Sequence, residues 1–184
     1  MIELFVNVAA VLLGQAQAGP PCAYDRARMM SLDQQAFDQD LDGGWRPLAS
    51  RDGCRLVAAD LIRDYREARR SEDRILYWHE GQLRALDGQT EAAKALLERA
   101  RRQDDDPIGW NHYVDATIAF LNKDRLALLA ARERLARQPR PEAFPSQDSQ
   151  GRPISWPLNL RIVDRFLACF GQPYSDALGE TACN

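Results

Sequence analysis

The sequence has almost no lysine: of 24 basic residues only Lys94 and Lys123 are lysines, and the rest are arginines. It has two histidines and four cysteines, and no two cysteines form a Cys-x-x-Cys pair. Zinc ribbons and thioredoxin-like dithiol chemistry are therefore poorly supported. No serine stands in Gly-x-Ser-x-Gly, and no phosphate loop or dinucleotide fingerprint occurs, so those hydrolase and nucleotide sites have no motif to rest on. No apolar stretch reaches the roughly 20 residues that a membrane-spanning helix needs. No segment alternates as a half-buried strand does. The net charge is only -3, and nucleic-acid surfaces are strongly basic, so a nucleic-acid partner is not expected.

What is present is one domain's worth of chain. Its 184 residues are 45% hydrophobic and 28% charged, enough to bury a core and too apolar for a disordered chain. Arginine in place of lysine, with abundant alanine, fits a GC-rich bacterial source. Residues 1–18 stand apart. Leu4 to Leu13 form a short apolar run, and Ala16-Gln17-Ala18 follows it, the pattern of a cleavable signal peptide. Glu3 and Asn7 depart from that pattern, and a buried amphipathic helix is the alternative. Cys22 follows Gly19-Pro20-Pro21 rather than the small and apolar residues that precede a lipidated cysteine. The expectation is a periplasmic or secreted protein with no transmembrane segment after cleavage. An even cysteine count in such a compartment favours disulfides. Cys22, Cys54, Cys169 and Cys183 allow three pairings, of which local closure favours Cys22–Cys54 and Cys169–Cys183.

Helical spacing dominates the rest. Ser31, with Gln34 three residues on, reads as the capped start of a helix that buries Leu32, Phe37 and Leu41 and stops at Gly43-Gly44. Further helices are expected over 54–69 and 75–87, after a cap at Thr90 with Ala93, Leu96, Leu97 and Ala100 on one face, and over 108–121, 125–136 and 158–170. Pro107 is read as a first helical residue, and the proline-rich stretch 138–157 as a loop. Ala59, Ala93 and Ala127 are spaced 34 apart, as are Ile62, Leu96 and Ala130, and Ala85 and Ala119. A fixed period holding two helices points to stacked helix pairs, none of which can bury its apolar side alone.

Residues 74–107, with Gly81, Gly88, Ala93, Ala100 and the exit at Asp105–Pro107, resemble the tetratricopeptide repeat family. Residues 108–141 share Trp110, Ala127, Ala131 and Pro139, but Asp115 stands where the first glycine would be; residues 40–73 keep mainly the second helix. The resemblance implies an all-α fold of antiparallel helix pairs, stacked as a short right-handed solenoid with N-terminal and C-terminal capping helices. The expected divisions of the chain are 1–18 signal peptide, 19–53 N-terminal helical extension, 54–141 tetratricopeptide-like helical repeats, and 142–184 proline-rich loop and C-terminal capping helix. It also implies a groove lined by first helices, which places Trp78, Gln82 and His112 as candidate partner-binding residues. Ala116 falls at the position of Gln82 in the next unit. Repeats that grip a terminal carboxylate carry lysine and asparagine at such places, and this chain has neither there.

Other constellations are weaker. Asp38, Asp40 and Asp42 with Gly43 imitate half of a calcium loop, but Ala49 stands where a bidentate glutamate is needed. His79 and His112 have no third ligand at recognisable spacing, so no metal, cofactor or catalytic residue is assigned. The expected function is binding of a protein or peptide partner, as scaffold or adaptor. The alternative is a helical enzyme or enzyme accessory subunit. The chain recovered from the periplasmic or secreted fraction should begin at Gly19 by intact-mass analysis; a cytoplasmic chain retaining Met1 would remove the basis for export.

Overall fold

The computed structural model describes residues 21–148, 150–179 and 183; the expected signal segment lies outside them. Among the described residues the chain is helical, and its only β-type pairing is an isolated bridge between Gln147 and Pro153. No described helix is long and apolar enough to cross a membrane.

The N-terminal extension is irregular. It holds α1 (Arg26–Ser31), one π-helical turn (Gln35–Gln39) and α2 (Arg46–Ala49). Ser31 closes α1 instead of opening a helix, because its hydroxyl donates backward to the Arg28 carbonyl at 2.8 Å. Asp33 takes the capping role, accepting from the Ala36 N–H at 2.8 Å. Leu41, expected to be buried, is 76% exposed, because the turn ends at Gln39. Phe37 carries the segment instead: it is fully buried and stacks on Tyr65 with 3.6 Å between ring centres.

Five helices follow: α3 (Arg55–Arg69), α4 (Arg74–Leu86), α5 (Thr90–Arg99), α6 (Trp110–Leu121) and α7 (Arg125–Ala136). α3 packs on α4, α4 on α5 and α6 on α7. Asp73 and Asp124 cap α4 and α7, each accepting a backbone N–H from the first turn and satisfying a donor the helix cannot. α6 starts later than expected. Pro107 lies in the preceding loop, and Asp106 accepts from the N–H groups of Trp110 and Asn111 at 2.9 and 2.7 Å. The loop through the proline-rich stretch is as expected. Beyond it α8 (Leu160–Ala168) packs on α6 and α7, and α9 (Tyr174–Leu178), which the sequence reading did not place, packs on α8 and α4.

Two hydrophobic cores result, and both use α4. Leu76 and Leu83 enter the core formed with α3 and the N-terminal extension. Tyr77, Trp78 and Ala85 enter the core formed with α5 to α9. The α4–α5 contact is close at Gly81: a Cβ there would lie 3.2 Å from Leu97 and 3.3 Å from the Ala93 carbonyl oxygen.

The repeat register differs from the sequence reading by one residue. Ala59 and Ala93 are fully buried, but Ala127 is exposed and Leu128 takes the buried place. A separation of 35 relates the two helix pairs: α4 and α6 end at Leu86 and Leu121, α5 and α7 begin at Thr90 and Arg125, and the left-handed turn residues are Gly88 and Lys123. One residue is about 100° of helix rotation, which turns Ala127 off the buried face. The same shift makes Ala116, fully buried, the counterpart of Gly81, so Asp115 no longer occupies a glycine position.

Both disulfides are those favoured by local closure. Cys22–Cys54 has a Cα–Cα distance of 5.4 Å and Cys169–Cys183 one of 5.1 Å. The first ties the extension to the start of α3, and the second ties the residues after α9 to the end of α8. Closing loops of these lengths contributes roughly 3–4 kcal/mol each through the unfolded state.

The close α4–α5 contact yields a stability test. Ala93→Leu should cost about 1–3 kcal/mol by overpacking. Ala95 is exposed on the same helix, so Ala95→Leu should cost less than about 0.5 kcal/mol. Urea unfolding of the two variants compares them with the same introduced residue; equal losses would contradict a close crossing at Ala93.

Candidate functional site

α4 presents functional side chains in three directions. Trp78 and Gln82, one helical turn apart, look toward α6 and α9. Trp78 is 3% exposed and packs at 4.7 Å from Trp110 and 4.8 Å from Tyr113, ring centre to ring centre. Gln82 is half-buried and faces the hydroxyl of Tyr174 on α9. Burial raises the Tyr174 phenol above its ordinary pKa, and Gln82 partly opposes that shift. Tyr174 packs on Phe166 and Phe120, and Arg165 secures α9 by donating to the carbonyls of Ala177 and Gly179. His112 is half-buried on α6, and its Nδ1 is buried without a hydrogen-bond partner. Of the three residues expected in a groove, Trp78 is thus a core residue, Gln82 lies against α9, and His112 stands half-buried on α6.

The second direction meets the N-terminal extension. His79 Nδ1 lies 2.7 Å from Asp38 Oδ1. Asp38 is fully buried and also accepts from Trp45 Nε1 at 3.0 Å and from Gln39. Burial raises the Asp38 carboxyl, but hydrogen bonds from His79, Trp45 and Gln39, and the charge on His79, outweigh it and hold the group below the ordinary aspartate value. The carboxylate is thereby committed to protein donors. Asp40 is exposed and accepts from the Asp42 N–H at 3.0 Å. The segment that imitates a calcium loop is therefore a hydrogen-bonded turn, and among the described residues no group of three or more His, Cys, Asp or Glu is placed to hold a metal ion.

The third direction is ionic. Glu80 is 2% exposed and binds Arg66 at 3.1 Å and Arg84 at 2.9 Å. Arg84 also donates to Asp60 and Gln89, each at 2.9 Å. At a separation of 35, Arg101 and Asp115 repeat the Arg66–Glu80 pair at 2.8 Å, and Arg134 joins Asp115 at 3.0 Å. Beside them lies an open cleft of about 260 Å³, lined by Ile118, Ala119 and Asn122 of the α6 side and by Asp124, Ala127 and Ala130 of the α7 side. Leu126 and Leu129 on α7 are 80% and 37% exposed. The sequence reading missed this cleft; the repeated Arg and acid at 66/101 and 80/115 were its available signal.

Comparison with protein-family models, with curated proteins and with solved structures gives no match for this chain.

Asp38 gives a pH prediction. Its pKa is depressed in the folded state, so its stabilisation is present above the unfolded value and is lost as pH falls through the folded one. Asp38→Asn should lower stability by about 1–3 kcal/mol at pH 7. The gap from the parent should narrow below about pH 4. Urea midpoints between pH 7 and pH 3 measure it; a gap that does not change with pH would mean that the carboxylate charge contributes nothing.

Proposed function

We propose that the chain is an exported helical-repeat protein that binds a protein or peptide partner. Tandem helix pairs related at a constant separation, followed by α8 packed on the last pair, support a tetratricopeptide-like right-handed solenoid with capping helices at both ends. Two disulfides fit an oxidising compartment such as the periplasm or the cell exterior.

The observation that carries the binding reading is the surface of α7. Leu126 and Leu129, with the exposed Ala127 and Ala130, form an apolar strip beside a cleft whose walls are charged. Apolar area rimmed by charge is the composition of a docking surface. The face expected from Trp78, Gln82 and His112 is largely covered, by core packing at Trp78 and by α9 at Gln82. Partner contact is therefore assigned to the α7 side. The second reading, an enzyme or enzyme accessory subunit, has one observation in its favour: a buried carboxylate that orients an imidazole, Asp38 on His79.

A photo-crosslinking residue at position 126, in the full chain in its native source, should capture one protein reproducibly. The same residue at Arg28, exposed on α1, should not. Leu126→Asp with Leu129→Asp should abolish capture without shifting the thermal midpoint. Equal capture at both positions, or capture unaffected by the double variant, would refute the α7 assignment.

A further inference from the structure

The cleft beside α7 has an internal counterpart, and the comparison shows why it is open. In the α4–α5 pair, Arg84 fills the equivalent space. Its guanidinium sits against Glu80, Asp60 and Gln89, and its side chain is only 12% exposed. The counterpart of Arg84 at a separation of 35 is Ala119; Glu80 and Gln89 keep acidic counterparts around the vacated space, while Asp60 is replaced by Ala95. Asp115 stands for Glu80. Asp124 stands for the amide acceptor Gln89 and adds a charge; one of its oxygens, Oδ1, already caps α7.

One difference accompanies the missing side chain. Arg99 turns away from Glu80 and pairs with Glu72 at 2.5 Å. Its counterpart Arg134 turns inward and pairs with Asp115, although its side chain remains 48% exposed. Arg134 thus substitutes from the rim for the guanidinium that Ala119 cannot provide, without filling the cleft.

We propose that this cleft binds a guanidinium side chain supplied by a partner protein. The inference rests on the binding reading above and names the chemistry that the surface recognises: an exposed arginine of the partner. The incoming guanidinium takes the place on Asp115 that Arg84 takes on Glu80, and Arg134 swings out to solvent. Its methylenes cover Ile118, Ala119 and the alanines of α7, as the stem of a buried arginine does. The exchange of one ion pair for another leaves charge balanced, so the gain comes from filling the cleft.

The test uses acetyl-arginine-amide as probe and acetyl-citrulline-amide, its uncharged isostere, as control. Titration of the full, disulfide-bonded chain is followed by amide NMR shifts at Ala119, Asn122, Ala127 and Ala130. Saturable shifts with the arginine probe and none with citrulline are expected. Arg134→Ala removes one of the two arginines on Asp115 and should tighten binding about two- to fivefold, the worth of a half-exposed ion pair. Ala119→Arg restores the Arg84 arrangement within the chain and should abolish binding. Ala130→Met, at an exposed position, blocks the cleft from the α7 side and serves if Ala119→Arg does not fold. Absence of saturable shifts, equal response to citrulline, or binding that persists in the blocked variants would overturn the proposal. Weaker binding in Arg134→Ala would also overturn it, since removing a competing cation cannot weaken a guanidinium site of this kind. Failure of the probe alongside capture at position 126 would remove the cleft assignment and leave the binding reading standing.

Discussion

α4 is a wall of two hydrophobic cores at once. Leu76 and Leu83 face one core, Tyr77 and Trp78 the other, and Ile75 and Leu86 touch both. A helix buried on two sides has little room left for polar residues, and the chain resolves this by pairing the buried ones. Glu80 is enclosed by two arginines and His79 by a buried aspartate. Breaking such a pair leaves a charge without water or partner, which costs several times what an exposed pair contributes. The same wall couples the two cores. Loss of the N-terminal core would strip one side of α4 and weaken the other core with it, so the two should unfold together.

The two helix pairs solve a common problem with different side chains. Each must join the second helix of one pair to the first helix of the next, and each does so with an arginine on an acid, Arg66–Glu80 and Arg101–Asp115. Around that joint the α4–α5 pair is filled and the α6–α7 pair is hollow. The main differences are Ala119 in place of Arg84 and Ala95 in place of Asp60, with Arg134 turned inward where Arg99 turns away. Without the filling side chain, Asp115 and Asp124 line the open space instead of an internal guanidinium.

Much of the helical layout was legible in the sequence because apolar spacing, capping aspartates and left-handed turn residues are local signals. The disulfide pairing was legible for the same reason: the short loops were the right ones. The register was not. Ala59, Ala93 and Ala127 suggested 34, and Ala119 then matched Ala85; the true counterpart of Ala119 is Arg84, and that identity makes the cleft intelligible. The Asp38–His79 pair spans 41 residues and leaves no local trace. α9 is five residues long and exists because Tyr174 is buried against Phe120 and Phe166, a tertiary cause that no local pattern carries.

The scarcity of lysine has a practical consequence. Lys94 donates to the Asn122 side chain at 2.8 Å, beside the cleft, and Lys123 lines a second hollow with Thr90 and Tyr174. Acylating reagents that read lysine are therefore confined, apart from the amino terminus, to the neighbourhood of the α6–α7 turn. Tags and surface tethers attached through amines would crowd that end of the helix pair, whereas attachment elsewhere requires a different functional group.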